Sequence, residues 1–310
     1  MDFDKLKRRS KGEELKRLQK HIRFGIGTHK NKKLRQALGS RARSTLLDEG
    51  VSKTHSARLL KQFLWRWGNL KKEDAQDRLK LWTVLDSVVA LDEEKILSAV
   101  DSMRARLDAV CRQVKGIEVI GAVEIEIVNI KKMKQLSSTV DEARKLNVIL
   151  SLIPVSEKSL FAESHDTWAL VHFHGVVDLG SNADAKLELL RESAKRWWSD
   201  KFQVQLKPLH EDKTLRTSLT NIARYLVKGG NENLIYKIGF GWDAAENLER
   251  QMLKSGKSKL GLDFEGFTNE MSLTMDEVRV LGTVVDRMMG RTGSKNMRNG
   301  YLFKHGQHQK

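Results

Sequence analysis

Cysteine is nearly missing from this 310-residue chain: Cys111 is its one thiol. That excludes an internal disulfide and any thiolate-rich zinc module. Cys111 falls at helical spacing with Val100, Met103 and Leu107, the pattern of an inert core residue. No apolar run approaches the roughly 18 residues of a spanning helix, and the opening MDFDKLKRRS lacks the apolar segment of a secretory signal. These absences point away from a membrane and toward a reducing cytoplasm. Proline occurs twice and tyrosine three times. No internal repeat, low-complexity tract or Walker-type phosphate loop is present, so a helicase would have to be a separate partner.

Positive charge is abundant and uneven. The net charge is +16, and residues 1–66 hold 19 Lys and Arg against 6 Asp and Glu, a surplus of 13 that leaves 16 − 13 = +3 for the rest. A localised basic arm suits a polyanion, because each cation that neutralises a phosphate releases condensed counterions. Arg8, Arg9, Lys32, Lys33, Arg41 and Arg43 are its candidate phosphate contacts. The plainer alternative is a solvated tail.

Periodicity divides the chain into three. Residues 1–70 read as basic helices: a capping box runs from Ser10 to Glu13, and Leu59, Leu60, Phe63, Leu64 and Trp67 share one helical face. FGIGTHKNKK and LLDEGVSK read as turns, and NLKKEDAQD (69–77) as a linker. Residues 71–238 alternate strands with helices. Strands are expected over 79–89, 117–130, 146–155, 168–179 and 202–209, and helices over 91–114, 184–200 and 218–230. This is an α+β domain with helices on a mainly antiparallel sheet. Residues 239–310 hold a helix with a second capping box, Thr274 to Glu277, and then a loose basic tail that would order on a partner.

Within that framework TWALVHFHGVVDLG places two histidines in an apolar strand. Strand side chains alternate, so His172 and His174 share a face, with Val171 and Phe173 on the reverse. Two imidazoles side by side form a metal platform, and GAVEIEIVN can complete it with Glu124 and Glu126, which also share a face. Such a mixed nitrogen and oxygen set suits Mn²⁺ or Mg²⁺. The alternatives are a core histidine strand and an edge strand with an acidic, solvated side. In SLTNIARYLVKGG the apolar stripe is Leu219, Ile222, Ala223, Leu226 and Val227. Tyr225 and Lys228 stand off it, one turn apart. A tyrosine beside a lysine and above a cation is a candidate nucleophile; Tyr236 and Tyr301 lack that setting.

Taken in order, HFHGVV resembles the His-hydrophobe-His motif of HUH endonucleases, and ARYLVKGG resembles their Tyr-x-x-Lys motif. GAVEIEI is similar to the Gly-x-x-Glu strand of plasmid-type rolling-circle replication initiators. The likeness covers roughly residues 75 to 230. It implies that His172 and His174 bind the cation with Glu124 as third ligand and Glu126 as its substitute. It further implies that Tyr225 attacks a DNA phosphate with help from Lys228. The family's Thr-rich first strand corresponds at best to LWTVLD, and Gly229 stands where the two-tyrosine branch has its second nucleophile. The chain therefore resembles the single-tyrosine branch, and resealing needs water, another subunit or a different residue. Expected partners are single-stranded origin DNA, a host helicase and a polymerase, with room for an oligomer. Lys207, Arg216 and Arg224 are the candidate phosphate contacts near the site. A relaxase or transposase of the same superfamily would use the same atoms, but relaxases tend to carry their tyrosine ahead of the histidines. A non-catalytic DNA-binding protein and a hydrolase without a covalent step are the readings from other classes.

Overall fold

The computed structural model describes residues 32–136, 140–155, 167–200, 202–209, 213–227, 234, 236, 272–290 and 301–306. The expected Ser10 to Glu13 capping box, Arg8, Arg9 and Lys228 lie outside the described residues.

A helical segment over 32–38 and a 3-10 turn, Gly39–Arg43, lead into α1 (Glu49–Trp67) and α2 (Lys72–Arg78). Then come β1 (Leu79–Ala90), α3 (Glu93–Gln113), β2 (Glu118–Asn129), α4 (Ile130–Leu136), α5 (Val140–Ser151), β3 (Thr167–Asp178), α6 (Ala183–Lys195), β4 (Val204–Pro208), α7 (Leu215–Leu226), α8 (Met275–Met288) and β5 (Leu302–His305). The strands pair antiparallel in the order β4-β1-β3-β2-β5, which sets the histidine strand at the centre. From β1 to β4 the chain follows the split βαβ arrangement. Among the described residues no helix is long and apolar enough to cross a membrane.

Local chemistry explains the helices. Asp48 caps α1 by accepting from the backbone N–H groups of Gly50 and Val51, and Leu59, Phe63 and Trp67 bury its inner face. Asp92 caps α3, Glu93 and Glu94 complement its positive end, and Ile96, Val100, Met103, Leu107 and Cys111 bury the stripe. The expected Thr274 to Glu277 capping box is present in α8.

Four expectations need correction. The turn expected at LLDEGVSK ends at Asp48, because that residue caps α1 and Glu49 to Lys53 are already helical. The strand expected over 146–155 is the end of α5: Val148, Ile149 and Leu152 recur at helical spacing and pack with Trp168 and Leu170. A short apolar run fits either period, and here the polar DEARK before it extends the helix. The linker over 69–77 contains α2, with Glu73 and Asp74 in its first turn and Ala75 buried. The supposedly loose tail adds β5 to the edge of β2, pairing Leu302 to His305 with Ala122 to Val119. The buried Phe303 ring, stacked edge-on against Phe173, accounts for that docking.

On the reverse of the sheet the Phe173 ring lies across a notch made by Gly121 and Gly175, which face each other in register. A Cβ at Gly121 would stand 2.3 Å from that ring, and one at Gly175 2.5 Å, so both positions need glycine for close approach. Trp82 meets the same ring edge-on. The residue between the two histidines is thereby locked, and their strand positions with it. At the other end of β3, Asp178 ties three elements together. It accepts from Trp67 Nε1 at 3.1 Å, from Arg78 through two bonds of 3.1 and 2.8 Å, and from the Gly180 N–H at 2.8 Å.

Candidate metal centre

The front face of β3 carries, in order, Trp168 and Leu170 under α4 and α5, then His172 and His174, then Val176 and Asp178 toward α1. The histidines thus occupy the middle of the central strand. Glu124 sits directly opposite His172 in the β2 to β3 register, and Ala122 opposite His174. The small alanine leaves Glu124 within reach of both rings. Its Oε2 lies 3.7 Å from His172 Nε2 and 3.7 Å from His174 Nε2, while Glu126 Oε2 lies 3.6 Å from His172 Nε2. The imidazoles meet almost perpendicularly, with centroids 4.7 Å apart.

One ligand atom each from Glu124, His172 and His174 can be chosen so that all three lie within 4.8 Å of one another. Two ligands at about 2.1 Å from a common cation stand roughly 3.0 Å apart at an octahedral angle and about 3.4 Å at a tetrahedral one. The observed 3.7 Å separations from Glu124 close to those values with shifts of a few tenths of an ångström. The donors fit a divalent ion: the two histidines are buried, and the carboxylate side chain is 10% exposed. This group can hold a divalent metal, with Glu126 at its rim.

Thr83 is the residue that sequence reasoning left without a role. It faces His174 across β1 and β3, and its hydroxyl lies 3.0 Å from Nδ1. With Nδ1–H donated to Thr83 Oγ1, Nε2 keeps its lone pair toward the cluster, the usual outer support of a ligating histidine. The signal was present in LWTVLD, but only the strand register reveals the pairing.

Tyr225 reaches the cluster from α7. Thr214 caps this helix by accepting from the Thr217 N–H, and Leu219, Ile222, Ala223 and Leu226 bury its inner stripe against the core that α1 shares. Off that stripe, the Tyr225 hydroxyl lies 3.2 Å from His174 Nε2, with ring centroids 4.6 Å apart. Tyr225 is 39% exposed while His172 and His174 are buried, so the phenol is the outward-facing member of the group. The other two tyrosines differ. Tyr236 donates to Glu277 at 2.8 Å, and burial together with that carboxylate raises its pKa. Tyr301 meets His55 Nδ1, and burial pushes its phenol up to about 12 against the pull of Arg58.

The candidate phosphate contacts divide. Arg216 and Arg224 are exposed on α7, the helix of Tyr225, and Lys207 is exposed on the edge strand β4. Lys32 and Arg43 are exposed. Arg41 pairs with the buried Asp286 at 3.6 Å, and Lys33 donates to the Leu273 carbonyl, where burial lowers its pKa. No protein-family model, curated protein or solved structure matches the chain.

Proposed function

We propose that this protein nicks single-stranded DNA through Tyr225, with a divalent cation at Glu124, His172 and His174, as an initiator of rolling-circle replication. The observation that carries the reading is the Tyr225 hydroxyl, 3.2 Å from His174 Nε2 at the outer side of a group able to hold a metal. Mn²⁺ or Mg²⁺ suits a carboxylate and two imidazoles under cytoplasmic conditions. Such an ion polarises a phosphodiester and offsets charge developing on its oxygens.

The chain's own residues do the rest. Glu124, His172 and His174 are held in place by the paired strands, and Thr83 fixes the ring of His174. Arg216 and Arg224, exposed on the tyrosine's own helix, would steer the phosphate backbone without reading bases. The Tyr225 oxygen bonds to phosphorus as the bond to the 3′ oxygen breaks; the phenol gives up its proton and the leaving oxygen takes one. The products are a 5′-phosphotyrosine and a free 3′-hydroxyl that a polymerase extends. Because the phosphodiester energy is kept in the new bond, a later hydroxyl can reseal the strand.

The test is a denaturing gel of protein with Mn²⁺ and labelled single-stranded DNA from its own replicon, wild type against Tyr225→Phe. A labelled band that travels with the protein and disappears in the variant is the expected result. Cleavage that survives Tyr225→Phe would mean a metal hydrolase without a covalent step. Binding with no cleavage by either protein would leave a DNA-binding protein only.

A further inference from the structure

Of the six tryptophans among the described residues, Trp67, Trp82, Trp168 and Trp198 are buried, Trp197 is 53% exposed and Trp65 is 74% exposed. Trp65 lies on the outer face of α1, away from Leu59, Phe63 and Trp67, and shares that face with the exposed Arg58 and Lys61.

Its setting is built. The Arg66 guanidinium lies over the Trp65 ring, 5.4 Å from the centroid, and Glu118 holds that guanidinium at 2.6 Å. One ring face therefore rests on a fixed cation and the indole remains largely in water. Burial lowers the pKa of Lys304 on β5, and the charge of nearby Arg66 lowers it further, so a second cation stands close by. Glu118 and Glu124 are six residues apart on β2, an even spacing, so both lie on the sheet face that carries the histidines.

We propose that Trp65, laid on Arg66 and flanked on the outer face of α1 by the exposed Arg58 and Lys61, is a base-stacking platform for single-stranded DNA. Every base offers a π face, so such a platform accepts any sequence, and the cations beside it follow the phosphates. The proposal rests on the nicking reading only for its choice of single-stranded DNA as ligand. Duplex DNA keeps its bases stacked on each other and has none to offer the indole.

The experiment uses the full chain in EDTA, where metal-assisted cleavage is off, and a fluorescein-labelled oligonucleotide of about 15 nucleotides, near the upper site size of single-strand binders. Anisotropy gives the affinity across a salt series. Trp65→Ala is expected to weaken binding by about tenfold or more, the effect of losing one stacked base, with the salt slope unchanged. Trp65→Phe keeps most of the affinity, and Trp197→Ala, an exposed tryptophan on the loop after α6, changes nothing. Arg66→Ala lowers both the affinity and the salt slope. Unchanged binding in Trp65→Ala, or an equal loss for a blunt duplex of the same sequence, overturns the proposal. Trp65-dependent binding without any covalent product would keep the platform and sink the nickase.

Discussion

Two polar groups sit on the same face of the central strands, and they are built in opposite ways. Asp178 is saturated: an indole, a two-bonded guanidinium and a backbone N–H all donate to it at 2.8 to 3.1 Å. It joins α1, α2 and β3, and its role ends there. Six residues back, His172 and Glu124 approach at 3.7 Å, longer than a hydrogen bond and close to the span between two ligands of one cation. Short contacts made in full mark a structural ion pair. Wider spacing among metal-ligating atoms marks a group able to hold a divalent cation.

The sharpest way to break this contrast is to remove one member of each group. Asp178→Ala leaves Arg78 and the Trp67 N–H without their acceptor and is expected to cost about 3 kcal/mol or more in a urea melt. Glu124→Gln keeps the shape and takes a nearly buried charge out of the sheet, so metal-free stability stays within about 0.5 kcal/mol of wild type or rises. A large loss for Glu124→Gln and none for Asp178→Ala would reverse the assignment.

Added cation separates the groups next. With free Mn²⁺ at 100 times its dissociation constant, a site present only in the folded state adds about 2.7 kcal/mol. Thermal melts should show the gain in wild type and Asp178→Asn, and lose it in His172→Ala and Glu124→Gln. An equal gain in all four proteins would place the ion elsewhere.

The reverse of the sheet offers a subtler test. Gly175→Ala puts a methyl group 2.5 Å from the Phe173 ring, an overpacking expected to cost roughly 1–3 kcal/mol. Because Phe173 lies between the ligands, the variant should also weaken Mn²⁺ binding without touching a ligand. Unaltered Mn²⁺ affinity would mean that the notch serves stability alone.

The most local change is Thr83→Val, which removes the hydroxyl at His174 Nδ1. It should cost about 1 kcal/mol and lower metal affinity by roughly tenfold or more, as loss of an outer hydrogen bond to a ligating histidine does. Titration calorimetry reads the affinity, and no change there would remove Thr83 from the site.

Much of this was legible beforehand because it depends on period. Alternation put His172 and His174 together, and Glu124 with Glu126; the 3.6-residue stripe of α7 left Tyr225 outside the core. What the sequence hid depends on register and on distant partners. Thr83 reaches His174 only because β1 pairs with β3 as it does. Asp178 looked like the end of a strand, since Trp67 and Arg78 are far away along the chain. The run around Val148 satisfied both periods, and its packing on Trp168 decided for the helix. YLF in the tail was too short to signal a strand until Phe303 found Phe173.

The central claim is that the Tyr225 oxygen takes the DNA phosphate. Peptide mass spectrometry after incubation with Mn²⁺ and a single-stranded oligonucleotide tests it most directly. The account predicts a nucleotide phosphate on the fragment containing Tyr225, absent when Glu124→Gln or His172→Ala replaces the wild type. An adduct on Tyr236 or Tyr301, or one that forms undiminished without the Glu124, His172 and His174 group, would contradict it.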